Sequence, residues 1–510
     1  MYNSTRSVNV KATAKNAIRK GLADDGGLFV LPNLGEAKNC ESAAAEGAPN
    51  TQCCDELTKL EPQDYLGKSY NEIVKTVFSK LLDDFSGDEI DDCINKAYTG
   101  TFENDEIAPV KKVGNMFVLE LFHGPTSAFK DVALTMLPQL MSKSLAVSGK
   151  KALILTATSG DTGKAAMNGF ADVENTAICV YYPHGGVSAV QHMQMATQKG
   201  ANVNVFAVEG NFDDAQRGVK ELFMDEELNA YAAGKGVELS SANSINIGRL
   251  MPQIIYYFSS YSQLVKDGQI GDGDKIIFSV PTGNFGDVLA GYYAYLMGLP
   301  VEKFIVASNK NDVLDEFIKT GTYDANREFY KTNSPSMDIL VSSNLERLLY
   351  YASGKDTEKV AGWMQELKES GKYTIDDATK GEVSKLFLSG SASEEKTLAT
   401  IREVYEETGY VLDTHSAISY AIAKEYADAG KTVVSLSTAS PYKFPQAVMS
   451  ALGEDIEDEW EALEKLKAAN NDPCPAALAN LKNAEVLHDA VIEKQQMRDT
   501  VIAAIDKLAE

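Results

Sequence analysis

From Val113 onward the chain repeats one pattern: a short run rich in β-branched residues, a polar or glycine turn, then a helical segment. The runs are Ala152–Thr156, Ala177–Tyr182, Val203–Val208, Ile276–Val280, Phe304–Ala307 and Thr432–Leu436. A strand that returns through a helix lies parallel to its neighbour, and such crossovers lay helices on both faces of the sheet. The alternation predicts an α/β fold of parallel-sheet subdomains flanked by helices. Ligands of such sheets sit beyond the carboxyl ends of the strands, so chemistry is expected in the turns that follow these runs.

The flanks read differently. In the first hundred residues, Ala12–Gly21 is helical in pattern, Asp24–Gly27 is a turn, and Leu28–Val30 is a short strand; Tyr70–Leu82 and Asp88–Tyr98 are helices by apolar periodicity. After Ala451 the sequence turns acidic and helical, with Glu454–Ala469, a break at Asn470–Pro475, and two further helical patterns between Ala476 and Leu508. At 510 residues the chain exceeds one ordinary core. The expected division is an N-terminal helix-rich domain over 1–100, a catalytic α/β region of two subdomains over 101–450, and a C-terminal helical appendage over 451–510. The polar stretch Lys38–Thr51 is expected to be a surface loop.

Composition excludes several classes. With 48 basic against 73 acidic residues the net charge is −25, which argues against non-specific nucleic-acid binding and against an anionic membrane. An anionic small molecule would then have to be met by local donors: helix N-termini, backbone N–H groups and a few arginines. No apolar run of membrane-spanning length and no leader pattern occur, so a cytoplasmic location is expected. Six cysteines without C-x-x-C spacing suit a reducing compartment, with Cys53 and Cys54 as exposed loop thiols. The five histidines include no metal-type pair on a helix, and no catalytic metal is expected.

Three turns carry the chemistry. Lys130 lies in His123-Gly-Pro-Thr-Ser-Ala-Phe-Lys-Asp131, ahead of the apolar stretch Val132–Leu140. An amine at the mouth of a helix can condense with the aldehyde of pyridoxal phosphate (PLP), although most lysines are simply solvated. Thr158-Ser-Gly-Asp-Thr-Gly163 follows a strand and opens a helix, a place that favours an anion; it also fits an ordinary capped helix start. It is no P-loop, because the glycine spacing is short and Ala165 stands where magnesium would need a hydroxyl. Pro281-Thr-Gly-Asn-Phe-Gly-Asp287 lets Gly283 and Gly286 bring backbone N–H groups against a phosphate, and lacks the G-x-G-x-x-G spacing of dinucleotide sites. Thr438, at the end of the run Thr432–Leu436, either faces a cofactor pyridine nitrogen or caps a turn.

Taken in order, these segments resemble the threonine synthase family, a PLP-dependent group of fold type II built like the tryptophan synthase β-subunit. The resemblance runs nearly end to end. It rests on Tyr2–Arg6, Gly21–Leu28, the Lys130 and Thr158–Gly163 segments, Tyr182–Gln191 with Gln194-Met195, Ser241–Arg249, Pro281–Asp287, Ser334-Pro-Ser-Met-Asp-Ile339 and Ser437–Phe444. Its length is similar to the fungal and proteobacterial branch. The resemblance implies that Lys130 is the Schiff-base lysine. Gly283, Asn284, Phe285, Gly286 and Asp287 would form the cofactor phosphate cradle, with Thr438 as the pyridine-nitrogen partner. Ser159, Asp161 and Thr162 would lie near the substrate carboxylate and the cofactor ring, and Asn243, Asn246 and Arg249 would be candidates for gripping the substrate phosphate. It further implies conversion of O-phospho-L-homoserine and water to L-threonine and phosphate, with a phospholyase giving 2-oxobutyrate, or a non-catalytic family member, as alternatives. Monomer and homodimer both stay open. Two departures stand out: Asp287 replaces an asparagine of some relatives, and Ser440 stands where relatives often have histidine.

Overall fold

The computed structural model describes residues 1–35, 58–158 and 160–510. The expected loop Lys38–Thr51, Cys40, Cys53, Cys54 and Ser159 lie outside the described residues. All six runs read from the sequence are strands, and they divide between two sheets. One sheet has the order Phe387–Ser391, Val301–Ser308, Ile276–Pro281, Val433–Ser437, Met116–Glu120, Val110–Val113, parallel throughout except for the last pair. The other is wholly parallel, in the order Val491–Ile492, Val203–Val208, Thr176–Pro183, Lys151–Ala157, Val237–Ser240. The α/β expectation holds, because near-continuous apolar runs such as Thr176–Pro183 are buried on both faces.

Two helices form the middle of the molecule. Ile247–Lys266 is buried along almost its whole length and packs against Lys130–Ser148, Gly286–Leu296 and Tyr70–Leu81. Its apolar and tyrosine residues fall on every side, as a helix without a solvent face requires. Helix Lys130–Ser148 contains Pro138. A proline inside a helix lacks the N–H that would bond to the carbonyl four residues earlier, here that of Leu134. Helix Asp161–Phe170 packs at this spot through Gly169, where a Cβ would stand 1.8 Å from the Leu134 oxygen. This contact locks together the two helices whose first residues are Lys130 and Asp161.

The flanks are built as the patterns suggest, with one difference. Helices Tyr70–Leu81 and Gly87–Tyr98 each start with a serine capping box, Ser69 with Glu72 and Ser86 with Glu89. At the other end, helices Glu459–Ala469 and Met497–Ala509 are present, but the second pattern begins only at Met497 after an extended segment. That segment supplies Val491–Ile492 as an edge strand, and Met497, Val501 and Ile505 pack with Leu153, Leu155 and Val219. Helix Met497–Ala509 therefore covers the five-stranded sheet and is part of its core, while Ala462, Leu463 and Leu466 of helix Glu459–Ala469 pack with Val113, Met116 and Val433 of the six-stranded sheet. Among the described residues no helix is long and apolar enough to cross a membrane.

Gly169→Ala is expected to lower unfolding free energy by about 1–3 kcal/mol, the usual cost of overpacking a tight contact. Urea unfolding of the variant measures it; an unchanged midpoint would mean that the two helices separate without cost.

Candidate active site

The turn Gly124–Phe129 delivers Lys130 to the carboxyl edge of the six-stranded sheet. Leu121 N–H donates to the Ser437 carbonyl and Phe129 N–H to the Thr438 carbonyl, while Ser440 N–H donates to that of Ser127. The ends of strands Met116–Glu120 and Val433–Ser437 are thus stitched together around the lysine. The Thr126 N–H and hydroxyl donate to the Asp131 carboxylate at 2.8 and 2.5 Å, closing the turn onto the helix start. Ser127 within it takes the left-handed backbone region, φ 59°, a strained choice for a residue with a side chain.

Lys130 is 8% exposed. Its Nζ donates to Ser336 Oγ at 3.1 Å, lies 3.8 Å from Asp161 Oδ2, and stands 5.2 Å from the centre of the Phe129 ring. Burial, aided by Lys443 and Arg249 and opposed by Asp161, pushes its amine down to about 8. At pH 7 roughly one molecule in ten then carries the neutral amine, against about one in several thousand for a solvated lysine. Asp161 does not cancel this effect, because its other oxygen accepts the closer cation: Lys443 Nζ is 2.7 Å from Oδ1 and also donates to the Thr126 carbonyl at 2.8 Å. Burial opposes ionisation of Asp161, yet Lys443 and then Lys130 hold its carboxyl well below the usual carboxylate range.

Further cations gather here. Arg249, 4% exposed, donates from Nη1 to the Ala242 carbonyl at 3.0 Å, while its buried Nε has no hydrogen-bond partner among the described residues. Burial pushes its guanidinium down to about 10, and burial with Lys443 nearby pushes Lys164 down to about 8. In a chain of net charge −25, the buried or half-buried cations Lys130, Lys443, Arg249 and Lys164 form a local cluster suited to an anion.

The glycine turn meets the lysine through Ser336. A Cβ on Gly283 would stand 2.9 Å from the Ser336 carbonyl oxygen, so only glycine allows the two loops this close. Ser342 Oγ donates to the Gly283 carbonyl, and Asn344 donates twice to that of Asn284. Phe285, buried and left-handed at φ 61°, turns the chain into helix Gly286–Leu296, whose N-terminus faces the turn. Asp287 Oδ1 accepts the hydroxyls of Tyr256 and Tyr257 at 2.6 and 2.8 Å, while its buried Oδ2 has no partner among the described residues. Burial, partly offset by those two bonds, pushes this carboxyl up to about 6.

Lys130, Thr438, Asp161, Arg249 and the Gly283–Asp287 turn are therefore brought together. Thr162 is half-buried in the first turn of its helix. Asn246 is buried but fully engaged, its amide donating to the Ile18 carbonyl and its Oδ1 capping Gly248 N–H. Asn243 is exposed. Lys443, Ser336, His415 and Asp413 were not singled out by sequence reasoning. Lys443 and Ser336 sit inside segments that carried the family resemblance, and this was the available signal for them.

The N-terminal and C-terminal regions match two family models, "Threonine synthase N terminus" over residues 1–98 and "Threonine synthase, C-terminal" over 416–501. Threonine synthase of Pseudomonas aeruginosa is 41% identical over 452 residues, covering 88% of this chain and 90% of that protein. The chain belongs to the threonine synthase family. Human threonine synthase-like 1 is 36% identical over 504 residues, 96% of this chain, and this chain spans 64% of that protein. The solved, PLP-bound threonine synthase from Brucella melitensis superposes with a TM-score of 0.85 at 37% identity, covering 100% of this chain and 99% of that one. The site fits the same cofactor on its own terms: a buried amine titrating near 8, a glycine-built turn at a helix N-terminus, and a hydroxyl residue at the adjoining strand end.

Asp287 gives this threonine synthase-family fold a pH signature. Its folded pKa of about 6 lies above the unfolded value, so its contribution to stability is present below about pH 4 and lost as pH rises through 6. Asp287→Asn removes the titration. The unfolding free energy of the variant relative to the native protein, both cofactor-free, is expected to rise by on the order of 3 kcal/mol between pH 4 and pH 7; parallel profiles would count against the shift.

Proposed function

We propose that this chain is a threonine synthase acting in the cytoplasm. With PLP as cofactor it converts O-phospho-L-homoserine and water to L-threonine and phosphate, the last step of threonine biosynthesis. The observation that carries the reading is the buried Lys130 amine, poised near neutrality inside a cluster of cations suited to an anionic substrate. Bound PLP supplies an electron sink for the substrate Cα.

The chain supplies the rest. Lys130 Nζ, in its neutral form, takes the proton from the substrate Cα and later returns it. The backbone of Gly283–Asp287 and the N-terminus of helix Gly286–Leu296 hold the cofactor phosphate. Thr438 presents a neutral hydroxyl to the pyridine nitrogen, and its N–H is fixed by Ser416 Oγ at 3.1 Å. Thr162, in the first turn of helix Asp161–Phe170, belongs to the substrate carboxylate, and the family resemblance assigns Ser159 to the same group. Asp161 orders Lys130 and Lys443, since a carboxylate does not bind a carboxylate. For the substrate phosphate, Arg249 is the strongest candidate because, among the described residues, its Nε has no hydrogen-bond partner and no carboxylate forms an ion pair with it. Asn243 is a weaker second, and Asn246 is engaged elsewhere. Among the described residues Cys93, Cys179 and Cys474 are free thiols, in keeping with the cytoplasmic location.

The decisive assay incubates the PLP-loaded protein with O-phospho-L-homoserine and follows threonine, 2-oxobutyrate and phosphate together. Threonine in step with phosphate is expected; phosphate with 2-oxobutyrate would make the chain a phospholyase, and no release would make it non-catalytic. Lys130→Ala should abolish turnover and the visible absorbance of lysine-linked cofactor while the circular dichroism is kept. Arg249→Ala should raise KM by roughly tenfold to a hundredfold, the cost of a lost charge-assisted hydrogen bond. Cofactor affinity should change far less, and equal loss of both would assign Arg249 a structural role.

A further inference from the structure

The segment Ser334–Ile339 has no chemical role in the reaction as drawn above, yet Ser336 lies at the centre of the site. It is firmly built. Asn309 Nδ2 donates to Ser334 Oγ at 2.9 Å and to Asp338 Oδ1 at 2.8 Å, and Thr332 Oγ1 donates to Asp338 Oδ1 at 2.7 Å. Its outer face abuts Gly283, where a side chain would collide with the Ser336 carbonyl. Its inner face offers Ser336 Oγ to Lys130 Nζ at 3.1 Å.

Ser336 is itself held from behind. Its N–H donates to His415 Nε2 at 3.1 Å, and His415 Nδ1 lies 2.9 Å from Asp413 Oδ1. Because Nε2 accepts, the imidazole proton resides on Nδ1, and the ring is fixed in that tautomer by Asp413. Asp413 is fully buried, caps helix Thr414–Asp428, and accepts the Ser416 hydroxyl, the same hydroxyl oxygen that receives Thr438 N–H. One carboxylate thus anchors both Ser336 and the turn of Thr438.

We propose that Ser336 is a further catalytic residue of this enzyme, its hydroxyl holding the Lys130 amine in place in both of its protonation states. A hydroxyl is both donor and acceptor. It accepts from Nζ when the lysine is an ammonium, and by rotating its O–H it donates to the lone pair when the amine is neutral. A lysine on a flexible four-carbon stem, freed to carry a proton between substrate atoms, needs such a partner to stay within reach. Asp161 cannot serve equally in both states, since a carboxylate accepts an N–H but has no proton to donate to the lone pair of the neutral amine. His415 and Asp413 are positioning residues, acting through the backbone of Ser336.

This rests on the threonine synthase reading for the reaction, though not for the Ser336–Lys130 contact, and the test separates the two. Ser336→Ala and Ser336→Thr are made in the full chain. In the PLP-loaded enzyme, Ser336→Ala should lower kcat by roughly tenfold to a hundredfold with KM within about threefold, and Ser336→Thr should restore much of the loss. His415→Ala should reproduce the loss without adding to that of Ser336→Ala in the double variant. In cofactor-free protein, the rate of PLP attachment to Lys130, trapped with cyanoborohydride and read by peptide mass, is followed against pH. The midpoint should move down in Ser336→Ala, because of the two bonds lost the charge-assisted one to the ammonium is the stronger. An alanine variant with kcat within twofold of the native value and an unmoved midpoint would overturn the proposal, as would a threonine variant that fails to recover activity while folding normally. A moved midpoint in a protein that makes no threonine from O-phospho-L-homoserine would refute the assigned reaction and uphold the contact.

Discussion

A lysine that must lose and regain a proton cannot be buried beside a carboxylate that is its own to keep, because a tight ion pair would hold it permanently charged. The structure meets this constraint with a second lysine. Lys443 takes the close position on Asp161, 2.7 Å against the 3.8 Å of Lys130, and its charge adds to burial in pushing the Lys130 amine down. Removing one partner from a buried pair is costly because the other charge is left without compensation. The arrangement is therefore a three-body balance in which the pair Asp161–Lys443 sets the field and Lys130 responds to it.

That balance dictates what must be fixed around it. Asp161 begins one helix and Lys130 another, and the contact of Gly169 with the Leu134 carbonyl sets their relative depth. Lys443 follows the strand Val433–Ser437, whose register to Met116–Glu120 is set by parallel pairing of Val434 with Phe117 through Ser437 with Glu120. Strand ends from one sheet and a helix start from the other therefore meet at a single carboxylate. Strain is concentrated in the connecting turns, at Ser127 and Phe285, the two left-handed non-glycine positions next to the lysine and the glycine turn.

Much of this was legible in the sequence. Near-continuous apolar runs named six of the seven inner strands, all but Met116–Glu120, and the turns after two of them named where Asp161 and Gly283–Asp287 would gather. Edge strands were not legible. Val237–Ser240 and Phe387–Ser391 carry polar and small residues, as half-buried strands do, and Val491–Ile492 is too short to show a period. Site residues whose role depends on partners far along the chain were also hidden. Asn246 reads as a ligand by its neighbourhood in the sequence, but its amide faces Ile18 across the fold. Lys443 and Ser336 read as ordinary turn residues, because nothing local to position 443 or 336 reports a carboxylate at 161 or an amine at 130.

The charge of the site answers the charge of the chain. A protein of net charge −25 repels an anion at long range, but salt screens that repulsion over about 10 Å at ordinary ionic strength. Within that distance the nearby charges dominate, and there Lys130, Lys164, Lys443 and Arg249 gather around the site. Asp287 belongs to the same ledger: the hydroxyls of Tyr256 and Tyr257 donate to one of its oxygens and disperse its negative charge beside the glycine turn. The same desolvation that makes each of these groups costly to bury is what lets a handful of them outweigh the acidic surface.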